Sequence, residues 1–154
     1  MRHALAALIL TAVASATYAQ DEKKADAPKG DLAKIQGKWT AMVGPEKNIP
    51  LTIEFKGTTA NIAVSINGED RTIKGEVKID ETKSPKEWDW TKFEGPDGQK
   101  VEDNLSIYKI EGDTLTVCSG GPGNERPKEF KAGDGGPPNL VELTRVKDEP
   151  KKDK

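Results

Sequence analysis

Histidine and cysteine are almost missing from this chain. Among 154 residues there is one His and one Cys. The histidine is His3, inside a segment with the layout of a removable leader, so the chain left after removal would hold none. That excludes Ser–His–Asp and Cys–His nucleophilic catalysis. It also excludes His-ligated zinc, copper and non-haem iron. A lone Cys118 excludes an internal disulfide and a cysteine-cluster metal site. No cationic cluster adjoins it to hold a thiolate, so it reads as a small strand residue. Aromatics are scarce, at 5%. An excess of one charge is missing too. The net charge is −2, and −3 once Arg2 leaves with the leader, which gives no electrostatic case for nucleic acid or anionic lipid.

Long hydrophobic runs are absent apart from one. Ala4 to Val13 is apolar except for Thr11, too short for a stable membrane span. Met1-Arg2-His3 is a basic start, and Ala14-Ser15-Ala16 and Thr17-Tyr18-Ala19 offer small residues at cleavage positions. This predicts a signal peptide over 1–19 and an exported protein, periplasmic or extracellular. No cysteine follows the run, so a lipoprotein anchor is not expected. Residues 20–30 and 148–154 are polar and lack core-forming side chains, which predicts a disordered linker and a disordered charged tail. The folded body is expected over 31–147.

Glycine and proline are plentiful, 15 and 10 residues. They predict many turns rather than long helices. Asp31 is placed to cap one helical turn through Leu32 to Gln36 that ends at Gly37. Beyond it, apolar residues alternate with period two, which is strand behaviour. Gly37, Trp39, Ala41 and Val43 share one face. So do Leu51, Ile53 and Phe55; Ile62, Val64 and Ile66; Ile73, Gly75, Val77 and Ile79; Trp88 and Trp90; Leu105 and Ile107; Leu115 and Val117; Val141 and Leu143. A further short strand is expected around Phe130. Asn67-Gly68, Pro96-Asp97-Gly98 and Glu111-Gly112-Asp113 mark turns. Eight or nine short strands joined in order predict an all-β antiparallel meander closed into a small barrel, which removes exposed edges. An interior of that size is either filled by side chains or holds one small ligand.

Several segments carry a resemblance. Ile35-Gln36-Gly37-Lys38-Trp39 is similar to the short helix and Gly-x-Trp that open lipocalin-like (calycin-type) barrels. The later run Asp113-Thr114-Leu115, Cys118 and Arg126-Pro127-Lys128-Glu129-Phe130 resembles an uncharacterised secreted lipocalin-like domain family expanded in planctomycete bacteria, as does Ser84-Pro85-Lys86-Glu87. The similarity covers about Leu32 to Lys147. It departs at Ser119-Gly120-Gly121, where the family often has a larger apolar residue and then Ala-Pro. The resemblance implies fold and export but no activity. It also implies structural roles for Gly37, Trp39, Cys118, Pro127 and Phe130, with Arg145 lying over Trp39 at the closed end.

The candidate binding residues are Trp88, Trp90 and Arg126. The two tryptophans either fill the barrel or line a pocket for a flat apolar ligand. Arg126 either holds an acidic ligand at the barrel mouth or bonds to carbonyls and a neighbouring carboxylate. Glu87 and Asp89 are spaced like a catalytic carboxylate pair, but they should face water opposite the tryptophans. Glu102-Asp103-Asn104 with Asp97 match no EF-hand spacing, and Ser119 to Gly123 is no phosphate loop. No metal, cofactor or catalytic residue is expected. The expected function is an exported, non-enzymatic binding module for a small apolar or amphipathic molecule. The alternative is a protein-interaction domain with a filled core and an extracytoplasmic protein partner. A carboxylate hydrolase is the third reading. Neither a nucleic-acid partner nor a membrane span is expected.

Overall fold

The computed structural model describes residues 27–147 other than 67, 96 and 97. The expected leader, most of the linker, the charged tail, Asn67 and Pro96-Asp97 lie outside the described residues. Among the described residues, one short helix, α1 (Gly30–Lys34), precedes eight strands: β1 (Gly37–Val43), β2 (Ile49–Lys56), β3 (Thr59–Ile66), β4 (Glu69–Asp80), β5 (Lys86–Glu94), β6 (Asn104–Glu111), β7 (Thr114–Ser119) and β8 (Asn139–Arg145). They form one closed antiparallel barrel in chain order, with β8 returning to β1. This is the small closed antiparallel barrel expected from the alternation, and it is consistent with the lipocalin-like form that the resemblance implies.

Register follows from the buried face, because a one-residue slip would turn every apolar side chain to water. Trp39 pairs with Ile53, Ile53 with Ile62, and Ile62 with Ile73. Ile35, Trp39, Phe55, Ala60, Val77, Trp88, Tyr108, Leu115 and Leu143 belong to the buried core. Helix α1 closes the end where β1 begins. The loops before β2, β6 and β8 stand at the other end.

One irregularity aims an aromatic inward. Trp88 and Trp90 face the interior by period two, and the β4–β5 register then shifts between Lys74 and Glu76. Lys92 takes φ +54, the left-handed region that side chains other than glycine rarely adopt. The extra residue reverses the parity, so Phe93, not Lys92, packs inside. Its ring lies flat on Gly75, where a Cβ would sit 2.5 Å from Cε2 and Cγ. Gly75→Ala should therefore lower unfolding stability by about 1–3 kcal/mol through overpacking. Adding Phe93→Leu should recover part of the loss. Urea denaturation of the two variants checks this, and a neutral single variant would contradict it.

Three expectations are corrected. Asp31 does not cap α1. The N-cap is Lys29 without a side-chain cap, and Asp31 lies in the first turn with its carboxylate buried. No strand forms around Phe130. Residues 120–138 instead run across the outside of β5, β6 and β7, and Pro122, Pro127, Pro137 and Pro138 have no N–H to give a ladder. Leu105 and Ile107 do not continue the inward pattern. Ser106 pairs with inward Trp88 while Ile107 pairs with outward Glu87, so Ser106 and Tyr108 face inside. Ile107 is buried because the outer segment covers it.

The seam is the short pairing. β1 and β8 pair only at Trp39↔Arg145 and Thr40↔Thr144, extended by the Val146 N–H donating to the Lys38 carbonyl at 2.8 Å. Beyond Thr40 the two strands part.

Candidate functional site: the barrel interior and its two ends

The closed end is fastened by charge and hydrogen bonds. Trp39 Nε1 donates to the Ile35 carbonyl at 2.7 Å, tying the strand to the helix. Arg145 lies over the Trp39 ring, 4.2 Å from its centroid. The same guanidinium donates to the carbonyls of Gln36, at 2.8 Å, and Lys34. Its Nε is 3.5 Å from Asp113. Stacking plus bonds to the last helical carbonyls is a geometry lysine cannot copy. Gly37 enters β1 at φ +97, which favours glycine.

Beside this clamp is a buried acid that sequence reasoning missed as a site. Asp31 is 2% exposed. Its carboxylate accepts from Lys34 Nζ at 2.7 Å, Lys86 Nζ at 2.5 Å and Tyr108 OH at 3.0 Å. Burial pushes its pKa up. The bonds from Lys34, Lys86 and Tyr108 and the Lys86 charge outweigh that and hold it at about 2. Burial, then the bond to Asp31, pushes the Tyr108 hydroxyl well above its ordinary range. No local motif announces this group. Lys34 is a neighbour on α1, but Lys86 and Tyr108 are 55 and 77 residues from Asp31 in sequence and reach it only through the fold of the barrel.

The tryptophans form one aromatic stack with their neighbours. Trp88 is fully buried, 5.5 Å from Phe55, 5.6 Å from Tyr108 and 5.0 Å from Trp90, ring centre to ring centre. Its Nε1 has no hydrogen-bond partner among the described residues. Trp90 is only partly buried and stacks on Phe55 at 6.3 Å. Burial inside the barrel is uneven. Ile35, Trp39, Phe55 and Trp88 are sealed. Val43, Leu51, Ile62, Ile73, Trp90 and Val141 face inward toward the end away from the helix and stay partly open, and these residues are the cup. Leu32, Ile79 and Ile110 at the helix end are partly open as well, and Phe93, beyond Trp90 on β5, is buried.

Arg126 is not at the barrel mouth. It lies outside the wall, donating to the Ser106 carbonyl at 2.5 Å, with Nη2 2.7 Å from Asp89 and 3.5 Å from Glu87. The Asp89 contact is ionic, since the N–H does not point along the line to Oδ1. The carboxylate that meets Arg126 is thus internal. Glu87 and Asp89 do face outward, yet residues 120–138 roof them, so they are not a solvated pair. Pro127 is buried in the same cover, and Lys109 Nζ lies 5.9 Å over the half-buried Phe130 ring. Cys118 is fully buried on the outer face beneath this segment, its thiol 3.6 Å from the Lys131 carbonyl. Burial pushes that thiol pKa up.

Among the described residues, no group of three or more His, Cys, Asp or Glu side chains is placed to hold a metal. No described helix is long and apolar enough to cross a membrane. No protein-family model matches the chain, and no curated protein or solved structure matches it significantly.

Proposed function

We propose that the protein is an exported, non-enzymatic binding module that takes a small apolar or amphipathic molecule into the open end of its barrel. The half-open inward apolar residues around Trp90 carry this reading. Inward apolar side chains that stay half-open are costly to keep wet, and a bound apolar molecule would cover them. Trp90 is the contact residue on the cup wall, and Trp88 beneath it is floor. Arg126 has no part in binding. The leader of 1–19 and the resemblance to the secreted lipocalin-like family support export. The second reading, an interaction domain working through its surface, is favoured by the sealed layer of Trp39, Phe55 and Trp88 and by Met42 and Leu140, which are exposed apolar residues.

Native mass spectrometry of protein purified from its own producing cells separates the two. A reproducible added mass is expected, lost in Trp90→Ala that remains folded by circular dichroism. The environment-sensitive probe 1-anilinonaphthalene-8-sulfonate should bind the stripped protein and depend on Trp90 in the same way. A bare mass across growth conditions, with no probe binding, overturns the ligand reading in favour of the surface one.

A further inference from the structure

The β1–β8 seam stops beside the cup. Barrel closure normally removes free strand edges. Here the pairing ends at Thr40↔Thr144. Continuing that register sets Ala41 opposite Leu143, Met42 opposite Glu142 and Val43 opposite Val141. Ala41 and Leu143 face inward and are buried, 7% and 1% exposed. Val43 and Val141, the next inward pair, are partly open and belong to the cup. In an antiparallel ladder, hydrogen-bonded pairs recur at every second residue. Lys38 and Val146 form one such pair, so the series runs on to Met42 and Glu142. The other edges of these strands are taken, β1 by β2 and β8 by β7. The backbone N–H and C=O of Met42 and Glu142 are therefore left facing a gap.

That gap is a groove of about 580 Å³ that crosses the barrel wall. Val43 and Val141 line its inner end. Met42 and Leu140, with outward side chains 53% and 37% exposed, are its lips. Cup and groove share Val43 and Val141, so they form one continuous surface from the interior to the outside. The rim carries both signs of charge. Lys47 lines the groove, Glu142 stands on the β8 edge, and Glu46 and Asp134 adjoin lining residues in sequence. That mixture selects neither an anion nor a cation.

We propose that the parted seam is a side opening of the binding site, and that the ligand is amphipathic, its apolar end in the cup and an uncharged amide neck passing out between β1 and β8. The inference rests on ligand binding in the cup. Continuity with the cup argues the occupant, because a molecule seated against Trp90 reaches the outside here without leaving apolar surface. The backbone edges argue the neck. They offer donors and acceptors side by side, and an amide is the neutral group that presents one of each. An alkyl chain alone in the gap would strip water from those N–H and C=O groups and give no hydrogen bond back. An ionic head finds no net opposite charge at the rim.

The test uses two uncharged probes of one shape, N-decanoylglycinamide and its ester counterpart O-decanoylglycolamide, titrated into the full folded protein. The ester keeps the chain and the carbonyl and lacks the neck N–H. The amide is expected to bind about fivefold more tightly than the ester. Both should displace 1-anilinonaphthalene-8-sulfonate, and Trp90→Ala should weaken both. A nitroxide on the far end of the amide probe locates the opening. It should broaden the NMR amide signals of Met42, Leu140 and Glu142 and spare those of Glu69 and Glu94, across the mouth by strand order. Equal broadening on both sides of the mouth would overturn the proposal and leave the cup standing. Equal affinity of amide and ester, or dye that binds through Trp90 and is displaced by neither probe, would do the same. Binding of neither probe, with no Trp90-dependent dye binding, would overturn the cup and the side opening together.

Discussion

Asp31→Ala is expected to destabilise the protein by about 3 kcal/mol and to loosen α1 from the closed end. Removing one partner of a buried ion pair costs about 3–5 kcal/mol, because the other charge is stranded. Lys86 is 41% exposed and can rehydrate, which places the loss at the low end. The buried Tyr108 hydroxyl loses its acceptor as well. The same carboxylate sets an acid limb. Its pKa is 3.8 when free and about 2 in the fold. A depressed folded value means the stabilisation is complete above the free value. It is lost as pH falls from about 4 toward 2 and is gone below that. The gap corresponds to about 2 kcal/mol. Asp80 is also held below its ordinary value, through Thr82, and adds to the limb in the same direction. Asp31→Asn keeps the shape and removes only the Asp31 share. Urea midpoints from pH 2 to 6 should fall less steeply in Asp31→Asn than in the parent. An unchanged slope would place the limb on other carboxylates.

The second large effect is at Trp88. Trp88→Ala should cost about 3–5 kcal/mol, the usual range for emptying a buried aromatic site. Trp88→Phe should cost far less than loss of volume alone suggests. The indole N–H is buried without a partner, and such a donor carries a desolvation penalty of about 1–3 kcal/mol. Phenylalanine removes that penalty while keeping contact with Phe55 and Tyr108. A phenylalanine variant within about 1 kcal/mol of the parent is the expected outcome by guanidinium denaturation. A loss equal to that of alanine would mean the N–H is satisfied in solution. Trp90 should behave differently. It is half-open, so its truncation should affect stability less than that of Trp88.

The barrel was legible because its signal is local. The Leu51-Ile53-Phe55 and Ile73-Gly75-Val77-Ile79 alternations, with turns at fixed intervals, determine which face is buried. The error at β6 has a definite cause. Leu105, Ser106, Ile107 and Tyr108 alternate under two different covers, the barrel core on one face and residues 120–138 on the other. With both faces dry, period-two reading cannot choose between them. Phe130 reads as a strand residue for the same reason. An aromatic that packs on the outside of a wall looks the same in sequence as one in a strand. Asp31 reads as a cap because caps are recognised by neighbours, whereas its distant partners, Lys86 and Tyr108, are set by topology. For Arg126 the sequence offers a neighbouring carboxylate as an alternative partner without saying which, and Asp89 is that carboxylate. Only the wall geometry brings the two within 2.7 Å. The parted seam could not be read, since nothing in β1 or β8 differs from an ordinary paired strand.

The outer cover also turns the single thiol into a clock. Cys118 meets water only in molecules whose 120–138 segment has lifted. That segment adds no strand to the barrel, so it can lift while all eight strands stay closed. The rate at which a small alkylating reagent captures the sulfur therefore times the cover, and denaturation times the barrel. In oxidising surroundings the same shielding keeps the sulfur from mixed disulfides and from sulfenic acid, which form at exposed thiolates. Copies of this chain can meet there without becoming cross-linked.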